Sequence, residues 1–337
     1  MSVEDILSKL VGFDTVKDNE NEQIMNYIEE LLTAKGFRTE YKTKCLVMSN
    51  REECSLGFIG HTDTVQSGAD WRYNPLKLTK EGNKLYGLGT CDMKGGIAAM
   101  LQAVMNTDWS KTKKGMKLIF TYDEEIGFNG ILEAVKANII LPETMVIGEP
   151  TNNEMMKGSK GLLEFKITMM GKSAHSSNPS KGENAILKTM QFLEELTSFY
   201  YVLKKEEEPR FEIPYTTMNV GKIEGGKSIN IVPNACTVYI DFRVISKKQR
   251  DQILDEINRL SKTYPIEYEI INDIKPFIAE GVAVKTTNFI TEASFIDVPN
   301  RYILGVGPIN PHEANEYVTT ESLELLVEQY QNLIANI

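Results

Sequence analysis

Near the N-terminus, apolar residues recur at helical spacing in two places: over Ser2–Leu10, and over Glu22–Lys35, where Ile24, Tyr27, Ile28, Leu31 and Leu32 share one face. The glycine in "KGF" at Lys35–Phe37 gives the second helix its stop. Beyond it the pattern changes to short apolar runs, Leu56–Ile59, Lys117–Tyr122, Thr144–Ile147 and Tyr302–Val306, separated by stretches of helical period. Short runs without polar alternation predict strands buried on both faces, and their alternation with helices predicts an α/β sheet.

The middle of the chain reads differently. Gly161–Met170, Thr216–Glu224, Cys236–Val244 and Ile266–Asn272 read as strands, with helical stretches at Asn184–Leu196 and Lys247–Lys262. Together they spell β-α-β-β-α-β, the ferredoxin-like order. A small domain at 160–274 is therefore expected inside a larger one made of 1–159 and 275–337. A chain of 337 residues is also longer than one hydrophobic core usually serves. No repeat of fixed period and no low-complexity tract interrupts this organisation.

Chemistry gathers where the strands of the larger domain end. Leu56–Ile59 leads to His61 and Asp63, Lys117–Tyr122 to Asp123, Glu124 and Glu125, Thr144–Ile147 to Glu149, and Tyr302–Val306 to His312. In an open α/β sheet, ligands bind beyond the carboxyl ends of the strands, so two imidazoles and several carboxylates are expected on one rim. So many acids in one place need a cation, and mixed nitrogen and oxygen donors suit zinc, manganese or cobalt better than calcium. In "HTD" the strand period of two puts Asp63 on the side of His61, where it can accept the second ring N–H. Singly, a histidine at a strand end or a "DEE" cluster is more often structural; four such ends together favour a metal site.

The glycine-rich turn "YGLGTCDMKGGIAAML" (Tyr86–Leu101) opens a further helix. As a dinucleotide fingerprint it fails, because Asp92 stands where the third glycine belongs and would repel a pyrophosphate. Asp92 is better placed as a ligand, and a carboxylate bridging two cations is the role that needs it.

Composition excludes more than it assigns. A formal charge of −10, from 47 acids and 37 bases, leaves no positive field for a nucleic-acid backbone. No apolar run reaches the roughly 18 residues of a membrane span, and the start "MSVEDILSKL" does not read as an export signal. Cys45, Cys54, Cys91 and Cys236 form no CxxC pair, which fits free thiols in a reducing cytoplasm.

The blocks "GHTDTV", "GLGTCDMKGG", "DEEIG", "GEPT", "GKSAHSSNP", "GGKSINIVPNACTVYIDFR" and "NPHEANEYV" resemble, in order and over essentially the whole chain, the dinuclear-zinc aminoacylase, desuccinylase and carboxypeptidase G family. That family includes acetylornithine deacetylase and succinyl-diaminopimelate desuccinylase. The resemblance implies a zinc-peptidase-like catalytic domain with a mixed, largely parallel sheet, and an inserted domain that serves as lid and dimerisation surface. It implies that His61 and Glu149 bind one metal, Glu125 and His312 the other, and that Asp92 bridges them, with a cis Asp92–Met93 peptide. Glu124 becomes the general base, with Asp63 supporting His61. His175 completes the site, in family dimers usually that of the other subunit, while Arg243 and Asn230 meet the substrate carboxylate.

The implied cofactors are two divalent ions, zinc foremost, and the implied partners are an N-acyl amino acid or dipeptide and a second copy of the chain. Deacylation of an N-acyl amino acid, in the manner of acetylornithine deacetylase, is the expected reaction. A dipeptidase or aminopeptidase is the runner-up, then a desuccinylase; a non-catalytic relative would have lost the base or a ligand, and neither is missing. Two departures stand out: Pro311 precedes His312 where a small residue is common, and the stretch from Asp273 to Tyr302 is shorter than in most relatives.

Overall fold

A computed structural model of the chain describes residues 1–16, 20–279 and 285–337. The chain divides into two compact units, Met1–Lys157 with Thr291–Ile337, and Gly158–Ile290. In the first, helices α1 (Val3–Val11) and α2 (Asn21–Thr33) precede strands β1 (Arg38–Lys42), β2 (Cys45–Ser49) and β3 (Cys54–His61). Then follow α3 (Lys94–Asn106), β4 (Gly115–Thr121), α4 (Asn129–Lys136) and β5 (Thr144–Ile147). The inserted unit contributes β6 (Gly161–Met170), α5 (Ala185–Leu203), β7 (Thr217–Gly225), β8 (Ala235–Val244), α6 (Lys247–Thr263) and β9 (Ile266–Ile274). The chain returns to the first unit with β10 (Asn300–Ile303) and α7 (Thr320–Ile334).

The sheet of the first unit runs β1-β2-β4-β3-β5-β10. Its four inner and distal strands β4, β3, β5 and β10 are parallel, and the β1–β2 hairpin adds antiparallel pairing at one side. This is the α/β sheet the apolar runs predict, in the mixed, largely parallel form the resemblance implies. Every residue of β2 and β4 is buried, as expected of strands covered on both faces. Helix α1 starts on a reciprocal capping box, Ser2 Oγ accepting the Asp5 N–H while Asp5 accepts the Ser2 N–H. Its face of Ile6, Leu7 and Leu10 joins α3, α7 and the sheet in one core. Phe58 of β3 and Tyr330 of α7 meet with ring centroids 4.7 Å apart, and the Tyr330 hydroxyl donates to the Leu304 carbonyl at 2.5 Å. Each such buried side chain contributes about 1.5–3 kcal/mol.

Two glycines let neighbouring elements close on the loop after β5. A Cβ at Gly96 of α3 would stand 2.2 Å from the Gly148 carbonyl oxygen, and one at Gly305 would stand 2.1 Å from that of Glu149. Helix α3 and the segment after β10 thus both press on Gly148–Glu149, which fixes where the Glu149 carboxylate emerges.

In the inserted unit the sheet order is β7-β8-β6-β9, antiparallel throughout, the ferredoxin-like arrangement that the βαββαβ order predicts. Alternate residues of β6 (Leu163, Phe165, Ile167, Met169) and β8 (Cys236, Val238, Ile240, Phe242) turn inward onto Phe192 and Leu196 of α5 and Ile253 and Ile257 of α6. Asn184 and Ser246 cap the two helices. The compact unit extends beyond the expected 160–274 boundary to Ile290, because Phe277–Ile278 pairs with Gly158–Ser159 and Thr287 bridges to Ser159. Of the shortened 273–302 stretch, residues 280–284 lie outside the described residues. Among the described residues no helix is long and apolar enough to cross a membrane, and all four cysteines are free thiols.

Candidate metal centre

The carboxyl ends of the parallel strands bring the predicted side chains together. His61, the last residue of β3, is fully buried; its backbone N–H meets Met93 Sδ at 3.3 Å. Its ring Nδ1 lies 3.0 Å from the Asp63 carbonyl oxygen and 3.5 Å from that residue's carboxylate. The Asp63 carbonyl is thus the nearer acceptor for Nδ1–H, with the carboxylate that the sequence suggested at ion-pair distance beside it. The Asp63 carboxylate instead accepts the Glu125 N–H at 3.2 Å, tying the loop after β4 to the loop after β3. Nε2 faces the carboxylates, where it can donate to Asp92 when protonated or give its lone pair to a cation when not.

Asp92 is the hub. Its Oδ1 lies 3.0 Å from His61 Nε2 and its Oδ2 lies 3.4 Å from His312 Nε2. Around the first contact stands Glu149, 3.6 Å from His61 Nε2; around the second stands Glu125, 3.1 Å from His312 Nε2. Two donor triads result, His61/Asp92/Glu149 and Asp92/Glu125/His312, in each of which all donor atoms lie within 4.8 Å of one another. The Asp92–Met93 peptide is cis, and α3 begins at Lys94 immediately after it. His312 has φ +61° and a side chain about half exposed, whereas His61 is sealed in.

Glu124 lies between Asp123, whose φ is +67° and whose carboxylate is paired with Lys44, and Glu125. Its carboxylate also approaches Glu149 and Glu292, all three donor oxygens within 4.8 Å. Glu292 was not anticipated: it is fully buried, takes a hydrogen bond from the Thr121 hydroxyl at 3.0 Å, and leaves its other oxygen without a hydrogen-bond partner among the described residues. In the sequence it follows Thr291, whose hydroxyl caps a short 3₁₀ turn, so it reads as an ordinary first-turn acid. Glu316, equally buried, was also unassigned; it accepts three backbone N–H groups of the Gly89–Asp92 turn.

The electrostatics of the cluster call for positive charge. Burial works against a charged His61 ring, yet its bonds to Asp63 and Asp92 and the charges of Glu124 and Glu149 hold it well above the usual histidine range. Burial likewise works against ionised Asp92, but its bonds to His312 and His61 pull it below the usual carboxylate range. Glu124 and Glu149 go the other way: burial first, then the neighbouring carboxylates, push both well above the ordinary value. By itself the cluster neutralises its charge with protons; cations fit the same need. The second buried oxygen of Glu292, which has no hydrogen-bond partner among the described residues, the mixed His and carboxylate donors and the shared Asp92 fit a pair of divalent ions.

The other three predicted residues belong to the inserted unit. His175 is exposed, with Nδ1 2.8 Å from the Ser177 hydroxyl, the local turn contact that "AHSS" allows. Asn230 lies beside it in space: the Ser176 N–H donates to the Asn230 carbonyl at 3.0 Å, and its side chain accepts from Ser228. Arg243 points from β8 and forms a two-pronged pair with Asp241, Nε to Oδ1 at 3.1 Å and an outer nitrogen to Oδ2 at 2.9 Å.

A family model described as a peptidase dimerisation domain matches residues 157–269, most of the inserted unit. The acetylornithine deacetylase of Vibrio cholerae is 34% identical over 94% of this chain and 92% of its own. Among solved structures, a tripeptidase of Staphylococcus aureus matches with a TM-score of 0.78 over 99% of this chain and 98% of that one, at 20% identity. A dinuclear metal-binding peptidase of the M20 family from Bacillus subtilis matches with a TM-score of 0.75 over 99% and 96%, at 11% identity. At those identities the likeness to the solved structures is one of fold. Together these findings define a metallohydrolase of amide bonds. With a relative this similar along nearly its whole length, the chain belongs to the M20 metallopeptidase family, in which the acetylornithine deacetylases stand.

Proposed function

We propose that this protein removes the acyl group from the amine of an N-acyl amino acid, in the manner of the acetylornithine deacetylases it is similar to. The observation that carries the reading is the Asp92 carboxylate, one oxygen 3.0 Å from His61 Nε2 and the other 3.4 Å from His312 Nε2, with the half-buried Glu124 next to both triads. His61 and Glu149 would hold one ion and Glu125 and His312 the second, with Asp92 available to both; zinc suits this donor set best, with cobalt or manganese as alternatives. When bound, the ions supply Lewis acidity and offset the carboxylates' charge.

The chain's own groups supply the rest. Glu124 takes a proton from the attacking water and delivers it to the departing amine, a role suited to a carboxyl whose proton affinity burial has raised. Asp63 holds the His61 ring through its carbonyl and the Glu124–Glu125 loop through its carboxylate, so one residue positions both a ligand and the base. His175 donates to the oxygen that gains charge as water adds, its Nδ1 steadied by Ser177. Arg243, kept in orientation by Asp241, and Asn230 receive the substrate carboxylate.

The enzyme acts as a cytoplasmic homodimer. Leu187, Met190, Tyr201 and Val202 of α5 and Val220 and Ile223 of the edge strand β7 are exposed apolar residues that a second copy would cover. Ile223→Lys is expected to give a monomer by light scattering; a dimer that persists unchanged would remove β7 from the interface.

Cleavage of dipeptides or tripeptides is the second reading, favoured by the likeness in fold to a tripeptidase, and desuccinylation of N-succinyl-diaminopimelate is a variant. The test is hydrolysis by zinc- or cobalt-loaded protein of N-acetylornithine, other N-acetyl amino acids, N-succinyl-diaminopimelate and short peptides. Preference for an N-acetyl amino acid supports the proposal, whereas turnover of peptides alone overturns it.

A further inference from the structure

Glu316 stands four residues beyond His312 in a segment that the proposed reaction does not use. It is almost fully buried, yet its carboxylate pairs with no cation within salt-bridge distance among the described residues. Instead it collects main-chain donors: Oε2 accepts the Gly89 N–H at 2.9 Å, and Oε1 accepts those of Cys91 at 2.6 Å and Asp92 at 2.9 Å. These N–H groups lie in the turn before α3, where no helical carbonyl reaches them, and the neighbouring Thr90 and Cys91 are shut off from water. The turn is shaped to reach the carboxylate, since Gly89 adopts φ +77°.

The contact is reinforced on both sides. The Glu316 carbonyl accepts the Gly87 N–H at 3.1 Å, and the next residue, Tyr317, pairs with Tyr86 at the start of a short antiparallel ladder. The 312–316 segment therefore grips the Gly87–Asp92 turn through its main chain and through Glu316, and meets the Asp92 carboxylate through His312. Two donors far apart in sequence are held in register by one buried side chain. A carboxylate is the side chain suited to this, because its two oxygens offer acceptor sites for three N–H groups and no donor to oppose them.

We propose that Glu316 is a positioning residue of the centre: by accepting the N–H groups of Gly89, Cys91 and Asp92, it fixes the turn that presents the Asp92 carboxylate to His61 and His312. The inference rests on the reading of Asp92 as a shared metal ligand. A glutamine at this position keeps the volume but places an NH₂ group against at least one backbone N–H, leaving that donor unpaired in a buried turn.

The test compares wild type, Glu316→Gln and Glu316→Asp as full chains. It measures zinc affinity by competition with a chromophoric chelator, the visible spectrum of the cobalt-loaded protein, and thermal unfolding of the metal-free form. Outer-shell partners of metal ligands typically affect affinity by about 10–100-fold. Glu316→Gln is expected to weaken zinc binding by about that factor and to alter the cobalt bands, with Glu316→Asp, which keeps both oxygens, falling in between. Should Glu316→Gln fail to fold, Glu316→Asp is read alone and is expected to bind zinc more weakly than wild type. Unchanged zinc affinity and cobalt spectrum in the folded variants, with a lowered unfolding temperature alone, would make Glu316 merely structural and overturn the proposal. Failure of the wild type to bind zinc would instead overturn the metal centre itself, so the two failures are distinguishable.

Discussion

Replacing Glu124 by glutamine should separate catalysis from stability, because the two respond in opposite directions. As the proposed proton carrier, Glu124 contributes a factor of roughly 10²–10⁴ to the rate. That is about 3–5 kcal/mol of transition-state stabilisation. Glutamine keeps the shape and leaves the two triads intact, so metal content should stay at the wild-type level. The structure also assigns a cost to the native residue, since the carboxylates of Glu124, Glu149 and Glu292 lie within 4.8 Å of one another. Two ionised groups at that distance repel by about 3.5 kcal/mol at an effective dielectric constant near 20. Proton uptake relieves part of this repulsion, so the metal-free Glu124→Gln protein should gain about 1–2 kcal/mol, a rise in unfolding temperature of roughly 2–8 °C. The assays are turnover of the best substrate, metal content by elemental analysis, and scanning calorimetry with and without a chelator. Near-normal turnover would remove Glu124 from the proton-carrying role. A less stable metal-free variant would refute the charge argument.

Two further outcomes follow from the geometry. Bonds to Asp92 and then Glu125 raise the His312 imidazolium to about 10, well above the free value of 6.5. The stabilisation this gives the metal-free protein is thus complete below pH 6.5 and is lost as pH rises toward 10, and zinc must displace the proton. Zinc affinity should accordingly rise between pH 7 and 9, and urea unfolding of the metal-free His312→Ala protein should lack this pH-dependent loss; identical pH slopes in both proteins would exclude it. Gly96→Ala places a Cβ 2.2 Å from the Gly148 carbonyl, so it should destabilise by about 1–3 kcal/mol and weaken zinc binding through Glu149. Calorimetry and chelator competition check both, and wild-type values would show that α3 can move aside freely.

Most of the fold was legible because hydrophobic patterning decides it. The continuous runs became β3, β4, β5 and β10, and the alternating ones became the ferredoxin-like sheet, whose inner faces meet α5 and α6. The donors at the strand ends were legible because the rim of a parallel sheet collects whatever follows each strand, and His61, Glu125, Glu149 and His312 do converge there with Asp92, which was read from the glycine-rich turn before α3. What escaped depends on contacts that leave no periodic trace. The inserted unit reaches Ile290 through a two-residue pairing of Phe277–Ile278 with Gly158–Ser159, too short to register as a strand. Glu292 and Glu316 look like surface acids in sequence, one beside a capping threonine and the other before a short strand, and only the folded chain shows them buried. For Asp63 the period-two argument found the right neighbour, with its carboxylate 3.5 Å from the His61 ring; what the pattern could not show is that its carbonyl lies nearer, at 3.0 Å, and that the carboxylate also accepts the Glu125 N–H.

The central claim is that one carboxylate joins two metal sites, and equilibrium dialysis against zinc tests it most directly. Two ions per chain are expected for the wild type, and one or fewer for Asp92→Asn, whose amide turns a donor toward one of the two histidines. A single ion in the wild type, or two retained with undiminished affinity in Asp92→Asn, would contradict it.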